Sequence, residues 1–390
     1  MKQLARCLTK HLLAAVFLFF LVHKVRSQQE NPLTLEASYV FDALNSPNAA
    51  LATGNAYMGM IDLIAGFNTA DAGWWQGGEM AMQVGTTHGA TSSADMVGDL
   101  QVFSNIDNGN YTYLLELWYK QSFNKFSLTF GVHDMNSEFL VSEYAIDYIN
   151  SSFGFMPTVS MNVGVSSFPK TCMAVVMAYD VDDNTSLRAG VYQGDPLDLD
   201  VEPYNTQFDL SKAGGYLTIA EVSRNMSLLN GLEGSYRAGG YYHSGVFDDL
   251  SGGEASIKGN YGAYAIAEQF LYSSHAGRQL ASFFHIGYAP EDRNAVPFFL
   301  AAGLNIHAPF AKRQDDMLGL ALASMTINKN LLGETGIFNL ENEQIIECFY
   351  KAQISEKVAL QPELQYIINP GAVSGNNNTL LGLIRTSIIF

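Results

Sequence analysis

Residues 111–134, YTYLLELWYKQSFNKFSLTFGVHD, contain two runs in which apolar and polar side chains alternate. In the first run, one face carries Tyr111, Tyr113, Leu115, Leu117 and Tyr119, and the other carries Thr112, Leu114, Glu116, Trp118 and Lys120. After a polar break, the second run sets Phe126, Leu128, Phe130 and Val132 against Ser127, Thr129, Gly131 and His133. A period of two is typical of strands with two chemically different faces. The stretch therefore predicts two β-strands, each with one aromatic-rich apolar face and one polar face.

The same alternation recurs along most of the chain. It is clear at 236–243, 284–288, 346–354, 357–368 and 380–390. Between these runs lie polar, turn-rich stretches such as NIDNGN (105–110) and SGNNN (374–378), whereas helical patterns are weak. No linker, charge block or fixed repeat divides the chain. The sequence therefore predicts one continuous all-β unit over residues 28–390.

The first 27 residues resemble an export signal rather than part of the fold. Basic residues at Lys2, Arg6 and Lys10 precede an unbroken apolar run from Leu12 to Val22, and Val25-Arg26-Ser27 offers small residues for a signal peptidase. The run is short for a bilayer-spanning helix, which makes a retained membrane anchor the weaker alternative. We therefore expect cleavage after Ser27 and an exported chain.

The charge of the chain limits its partners. With 38 acidic and 21 basic residues, the formal net charge is −17, and removal of 1–27 would make the remainder more acidic. Such a charge argues against nucleic acid and against attraction to anionic head groups. Two cysteines remain, Cys172 and Cys348, and they could form a disulfide or stay as two buried thiols.

An exported all-β chain with an aromatic-rich face fits an outer-membrane barrel better than soluble β-sandwiches, which would bury that face and leave seams between domains. In lipid every backbone group must be hydrogen-bonded internally, so a spanning sheet has to close on itself. The apolar faces then meet lipid and the polar faces line the interior. The length predicts a closed antiparallel transmembrane barrel of about 16 strands with long external loops, wide enough for a water-filled channel.

Several stretches together resemble the OprB family of carbohydrate-selective porins, in order and over essentially the whole chain after the signal. They are LEASYVFDALNS (35–46), GDLQVFSNIDN (98–108), LLELWYKQSF (114–123), LTFGVHDMNSEF (128–139), INSSFG (149–154), RAGVYQGDP (188–196), GNYGAYAIAEQFLY (259–272), GYAPEDRNAVPFF (287–299) and LQPELQYIINPG (360–371). The terminal aromatic Phe390 also resembles the insertion signal of bacterial outer-membrane barrels. The resemblance implies a 16-stranded barrel through which monosaccharides and related small sugars diffuse passively.

Passage of a sugar needs no cofactor, metal or catalytic group. It needs polar side chains that hydrogen-bond hydroxyls and aromatic rings that contact the apolar faces of the sugar. Eleven side chains on the predicted inward faces are candidates for this role: Glu116, Trp118, Lys120, His133, Arg237, Tyr241, His243, Glu347, Lys351, Glu363 and Arg385. The alternative for each residue is an ion pair that only stiffens the wall.

Other functions stay open at this level. A general diffusion porin, a barrel-borne surface enzyme and an adhesin share the predicted fold, although the G-x-S-x-G, H-E-x-x-H and P-loop motifs are missing. Expected partners are small sugars in transit, outer-membrane lipid and lipopolysaccharide, with the barrel acting alone or as a homotrimer. External loops at DVDD (180–183) and at 248–249 could bind divalent cations, but DVDDN lacks the glycine and distal glutamate of an EF-hand loop.

Overall fold

The computed structural model describes residues 31–206, 214–229, 231–253, 256–274, 277–331 and 340–390. The predicted signal segment, 1–27, lies outside these residues. Each strand pairs antiparallel with its chain neighbours, and β1 pairs with β16, as in Asp42 opposite Arg385. The sheet therefore closes into a barrel of 16 strands, which confirms the predicted fold.

The strands fill most of the described chain. They are β1 (Leu33–Ser46), β2 (Gly54–Asn68), β3 (Gly78–Gly89), β4 (Tyr111–Phe123), β5 (Phe126–His133), β6 (Cys172–Asp182), β7 (Thr185–Gln193), β8 (Tyr216–Leu228), β9 (Leu232–Phe247), β10 (Ile257–Ser273), β11 (Gln279–Tyr288), β12 (Phe298–His307), β13 (Met317–Thr326), β14 (Glu343–Ser355), β15 (Val358–Ile368) and β16 (Thr379–Ile389). Short helical turns occur at Ser93–Val97, Met135–Ser137, Ser151–Gly154, Pro157–Ser160 and Pro370–Ala372. Among the described residues, no helix is long and apolar enough to cross a bilayer.

Connections at the two ends of the barrel differ in length. One end holds residues 31 and 390 and tight turns such as Asn124–Lys125 and Asp183–Asn184. The other end holds the long connections, including 90–110 and 134–171. Bacterial barrels place short turns in the periplasm and long loops outside, so we call these the periplasmic and the external end. This corrects the position expected for 180–183, which lie at the periplasmic end, whereas 248–249 lie in an external connection.

The outer surface of the barrel is an apolar belt. Large apolar side chains remain exposed there on strands all around the wall, for example Leu63, Phe130, Val175, Leu322 and Ile384. In water such a surface would associate, but in a membrane it meets acyl chains. Cys348 and Cys172 are both free thiols, so they form no disulfide; Cys172 is buried, but the expectation of two buried thiols is wrong for Cys348, which is exposed on the outer face of β14.

A β-bulge in β4 corrects the face assigned to the start of this strand. Gln83 of β3 lies opposite Glu116 and the next residue, Val84, lies opposite Leu114, so Leu115 is the extra residue. A bulge shifts the alternation by one position. Tyr113 therefore lies inside the barrel, buried against Phe168, instead of on the lipid-facing side as the simple alternation predicts. From Glu116 onward the predicted faces hold.

Inside the barrel, the wall is apolar on one side. Between β10 and β13 the inner face carries Phe283, Phe299, Ala301, Ala321 and Met325, all buried. The external connection 134–171 covers them: the ring of Tyr148 packs edge-on against Phe283 and Phe349, with centroids 5.3 and 4.9 Å apart. This corrects the expectation of a polar lining all around, because part of the lumen is filled by a dry core.

Candidate functional site

Two connections from the external end fold into the lumen and narrow it. They are residues 99–108, between β3 and β4, and residues 134–153, between β5 and β6, which together we call the collar. The amide of Asn105 donates to the carbonyl of Ile149 at 2.9 Å, and the amide of Ser151 donates to Val102 at 3.0 Å, so the two segments are joined. Their wall contacts run from β4 through β8, β10 and β14 to β16 and β1. The collar therefore follows the inner wall almost all the way round.

Carboxylates of the wall hold the backbone of segment 134–153. Glu116 on β4 accepts from the Asp134 amide at 3.1 Å, and Glu221 on β8 accepts from Leu140 at 3.0 Å. Glu268 on β10 accepts from the Tyr144 amide at 2.7 Å. A carboxylate that accepts amide hydrogens forms charge-assisted bonds, which are stronger than neutral ones. These acidic side chains thus position the collar.

Segment 99–108 is held in the same way. Glu343 on β14 accepts from the amides of Leu100, at 3.0 and 3.1 Å, and Gln101, at 2.8 Å, and it also accepts from Gly371 at 2.7 Å in the β15–β16 connection. Asp42 on β1 accepts from the Ser104 hydroxyl at 2.7 Å. Both segments of the collar are therefore fixed to the wall in the same way, by wall carboxyl groups that accept hydrogen bonds from the collar.

The dry core beneath the collar requires small residues on the wall. A side chain at Gly303 would clash with the ring of Phe283, and one at Gly319 would clash with the ring of Phe349. His285, 1% exposed in this region, has no hydrogen-bond partner at either ring nitrogen among the described residues. In this part of the interior, close packing of apolar side chains, rather than polar contacts, determines which residues the wall can carry.

All eleven residues singled out from the sequence point into the barrel. Five of them are buried and bonded or packed within the protein. Tyr241 donates to the Thr158 carbonyl at 2.6 Å, the His243 ring nitrogen Nε2 lies 2.7 Å from the Gly194 carbonyl, and Glu363 accepts from Gln365 at 2.7 Å. Glu347 accepts from the amides of Ile149 and Asn150 at 2.6 and 3.1 Å. The buried ring of His133 packs near Tyr192 and Trp118.

The other six are partly exposed: Glu116, Trp118, Lys120, Arg237, Lys351 and Arg385. Trp118 donates its indole N–H to Glu116 at 3.1 Å, and this bond fixes the plane of the ring. Glu116, Trp118 and Lys120 follow each other down the inner face of β4, which spaces them by about 7 Å each at the strand rise. They form a column from the collar toward the periplasmic end.

Three wall cations bond to the collar. Arg188 Nε lies 3.0 Å from Glu138 Oε2, Lys351 Nζ lies 2.5 Å from Asp147 Oδ1, and Arg385 Nη2 lies 2.8 Å from Asn105 Oδ1. Deeper in the wall, Arg385 also binds Asp42 with two bonds of 2.8 Å. Partly exposed groups of both signs therefore border the opening, where they can meet the hydroxyls of a passing solute.

Sequence reasoning missed Arg188, Glu138, Asp147 and Asn105 at this border. Glu138, Asp147 and Asn105 lie outside the strands, where alternation carries no information. The length and the apolar content of 134–171 could have predicted that this connection folds into the barrel. A long connection that is rich in apolar residues has to bury them against another part of the protein. No group of three or more His, Cys, Asp or Glu side chains suited to a metal ion occurs within the described ranges.

Comparison with known proteins agrees with this geometry. The sequence profile of the OprB family, described as carbohydrate-selective porins, matches residues 52–390. Porin B of Pseudomonas aeruginosa is 22% identical over 81% of this chain and 78% of its own length. The putative porin QuiX of Acinetobacter baylyi is 21% identical over 81% of this chain and 79% of its own.

Among solved structures, OprB of Pseudomonas putida at high pH has a similar fold. It superposes with a TM-score of 0.82 at 21% identity and covers 92% of this chain and 94% of its own. Closure of the sheet, the outer belt and the family match place the protein in the bacterial outer membrane. The chain belongs to the OprB family of carbohydrate-selective porins.

Proposed function

We propose that monosaccharides and related small sugars diffuse through the opening bordered by the collar and then along the column of Glu116, Trp118 and Lys120. The observation that carries this proposal is the position of Trp118. Its ring is partly exposed on the inner wall and its N–H is held by Glu116. A fixed aromatic face suits the C–H face of a pyranose, and flanking charged groups suit its hydroxyls. Contacts of this kind are weak enough to release the sugar.

The experiment is solute uptake by liposomes that contain the purified protein. We expect swelling to be faster with a neutral hexose than with an amino acid of equal size. Trp118→Ala should remove much of this preference, and Trp118→Phe should retain part of it. Trp75→Ala is the matched control, because Trp75 lies in the exposed β2–β3 turn, where it binds Tyr119 and Gln121. If the hexose and the amino acid cause swelling at equal rates with the unmodified protein, the sugar preference is wrong and the protein is a general diffusion porin.

We further propose that the barrel performs no catalysis on its solutes. Inward carboxyl groups that could act as an acid or a base, such as Glu347 and Glu343, are occupied by backbone amides. An enzyme needs such groups to face a substrate. Recovery of the sugar chemically unchanged on both sides of the membrane supports passive diffusion, and the appearance of a product would overturn it.

The outer face of β1–β4 favours a homotrimer over a lone barrel, with lipid and lipopolysaccharide around the rest of the belt. This face carries polar contacts at Tyr39 with His88, 3.2 Å, and at Thr86 with Thr112, 3.2 Å. Exposure of polar side chains to acyl chains costs free energy, because lipid offers them no hydrogen bonds. Contact with a second copy of the barrel would reduce this cost. Cross-linking between cysteines introduced at Thr86 and Thr112 of different copies tests the trimer, and purely monomeric native mass spectra would exclude it.

A further inference from the structure

The outer face of β2–β6 contains a groove. Its volume is about 460 Å³, which lies within the range of about 300–1,000 Å³ that small-molecule sites occupy. The strand registers place Met80 opposite Tyr119 and Met82 opposite Leu117, so these side chains share the lipid-facing side of the wall. Six apolar side chains form the sides of the groove: Ala65, Met80, Met82, Leu117, Phe130 and Met173. The groove therefore opens toward the membrane and not toward the lumen.

The depth of the groove comes from the backbone of β4 and β5. Gly131 has a φ of +138°, and a Cβ on it would lie 2.2 Å from the carbonyl oxygen of Leu117. No side chain fits there, so the wall stays bare at this point. Val132, which lies opposite Leu117 on the outer face, is only 2% exposed because its neighbours stand above it. It forms part of the floor.

Packing decides what fills such a groove within a membrane. Lipid tails are as apolar as the side chains, so the hydrophobic effect does not distinguish one apolar occupant from another. A chain seated in the groove contacts protein on several sides, whereas a chain against the flat belt contacts it on one, and each contact adds dispersion energy. Three of the lining residues, Met80, Met82 and Met173, have flexible side chains that adapt to an irregular partner. The groove therefore suits a flexible hydrocarbon chain.

The periplasmic end of the groove is polar. Tyr119, which lines the groove, accepts the indole N–H of Trp75 at 3.0 Å, and Gln121 accepts the same N–H at 3.0 Å. Tyr119 lies four residues before the end of β4 at Phe123, about 13 Å along the strand. Aromatic side chains of barrels gather at the level of the lipid head groups. This cluster therefore marks the head-group level of the periplasmic leaflet.

Trp74 supplies a hydrogen-bond donor at this level. Its ring stacks on Trp75, with centroids 5.7 Å apart, and it is 51% exposed. Among the described residues its indole N–H has no acceptor, whereas that of Trp75 is used within the cluster. The phosphate and ester oxygens of a lipid are acceptors, and an indole N–H can only donate. The apolar groove and the free donor thus match the two parts of one amphipathic molecule.

We infer that the groove binds one acyl chain of a phospholipid from the periplasmic leaflet, with the head group of this lipid at Trp74. Lipopolysaccharide is confined to the external leaflet, so it does not reach the periplasmic half of the wall. The polar contacts proposed to face a second copy, at His88 and Thr86, lie toward the external end of β3. The inference concerns the outer surface and is independent of the path of the sugar.

Native mass spectrometry of the full-length barrel, extracted from outer membranes in mild detergent, tests this site. We expect a single phospholipid to remain on the barrel. Ala65→Trp fills the groove from its side and should lower the retained fraction several-fold. Ala265→Trp is the matched control, because Ala265 is an outward alanine of β10 between the buried Tyr264 and Ile266. Heat-modifiable gel migration should show that both variants fold.

Trp74→Phe separates the head group from the tail. It keeps a ring at this position but removes the N–H, so it should lower the retained fraction less than Ala65→Trp does. The inference is overturned if the unmodified barrel retains no phospholipid, if it retains lipopolysaccharide instead, or if Ala65→Trp and Ala265→Trp retain phospholipid equally. If no phospholipid is retained and Ala65→Trp dissociates an oligomer, a second copy fills the groove and the lipid site is wrong.

Discussion

The amide of Ile149 donates a hydrogen bond of 2.6 Å to Oε1 of Glu347, across 198 residues of sequence. This bond and its neighbour from Asn150, at 3.1 Å, fix the collar to β14. The carboxyl group is buried, so its oxygens are satisfied by these two donors rather than by water. The position of the collar therefore depends on a side chain that is buried and meets no solute.

Glu347→Ala should loosen the collar. Each amide left without an acceptor costs roughly 1–3 kcal/mol of folding free energy, and the freed segment should fluctuate. We expect a lower unfolding temperature by heat-modifiable gel migration and noisier single-channel currents. Glu347→Gln keeps one acceptor oxygen and should be milder. Quiet currents in Glu347→Ala at unchanged stability would show that this bond does not hold the collar.

Tyr113→Ala tests the bulge in β4. Because Tyr113 is 1% exposed and packs inside the barrel, its loss should leave a cavity and cost roughly 3 kcal/mol or more. Leu117→Ala, on the lipid-facing side and 41% exposed, should cost much less. Urea unfolding in lipid vesicles compares the two variants. Similar small losses would place Tyr113 on the membrane surface.

Arg385 and Asp42 should behave as a unit. Among the described residues, Arg385→Gln leaves the fully buried carboxylate of Asp42 with the Ser104 hydroxyl as its one remaining partner, and breaking such a pair costs about 3–5 kcal/mol. The double variant Asp42→Asn with Arg385→Gln should recover part of this loss, because no uncompensated charge remains. A double-mutant cycle in the unfolding free energy checks this, and simple additivity of the two changes would rule out the coupling.

Asp99 makes the stability of the folded barrel depend on pH. Burial, followed by the charge of Glu343, raises the pKa of Asp99 to about 8. In the unfolded chain this carboxyl titrates near 4, so the folded state binds the proton more tightly, and stability is lost as pH rises from about 4 through about 8. Asp99→Asn should remove this loss, so its gain in unfolding temperature should grow over that range and then level off.

The matched control for Asp99→Asn is Glu291→Gln, because Glu291 is exposed in the β11–β12 connection. It should leave the unfolding temperature nearly unchanged at each pH. A gain for Asp99→Asn that is the same at pH 4 and pH 9 would mean that the carboxyl is not held protonated by its surroundings.

The amino-acid sequence by itself determined the strands, the faces of the regular strands and the closed barrel. Alternation is a local property: Phe130 and Thr129 take opposite sides of β5 whatever lies elsewhere in the chain. Lipid on one side and water on the other then leave closure as the solution that satisfies every backbone group. The eleven inward residues followed from the same local rule.

Only the tertiary structure decided what those inward residues touch. The extra residue Leu115 reverses the faces of the first part of β4, because the strand has to match β3 across the bulge. Glu347 meets Ile149 and Arg385 meets Asn105 because two external connections fold into the lumen. These contacts join residues far apart in sequence. Whether an inward side chain is buried depends on which connection covers it, and the alternation of the strand carries no information about that. Alternation therefore identifies the wall, and the packing of the connections identifies the opening.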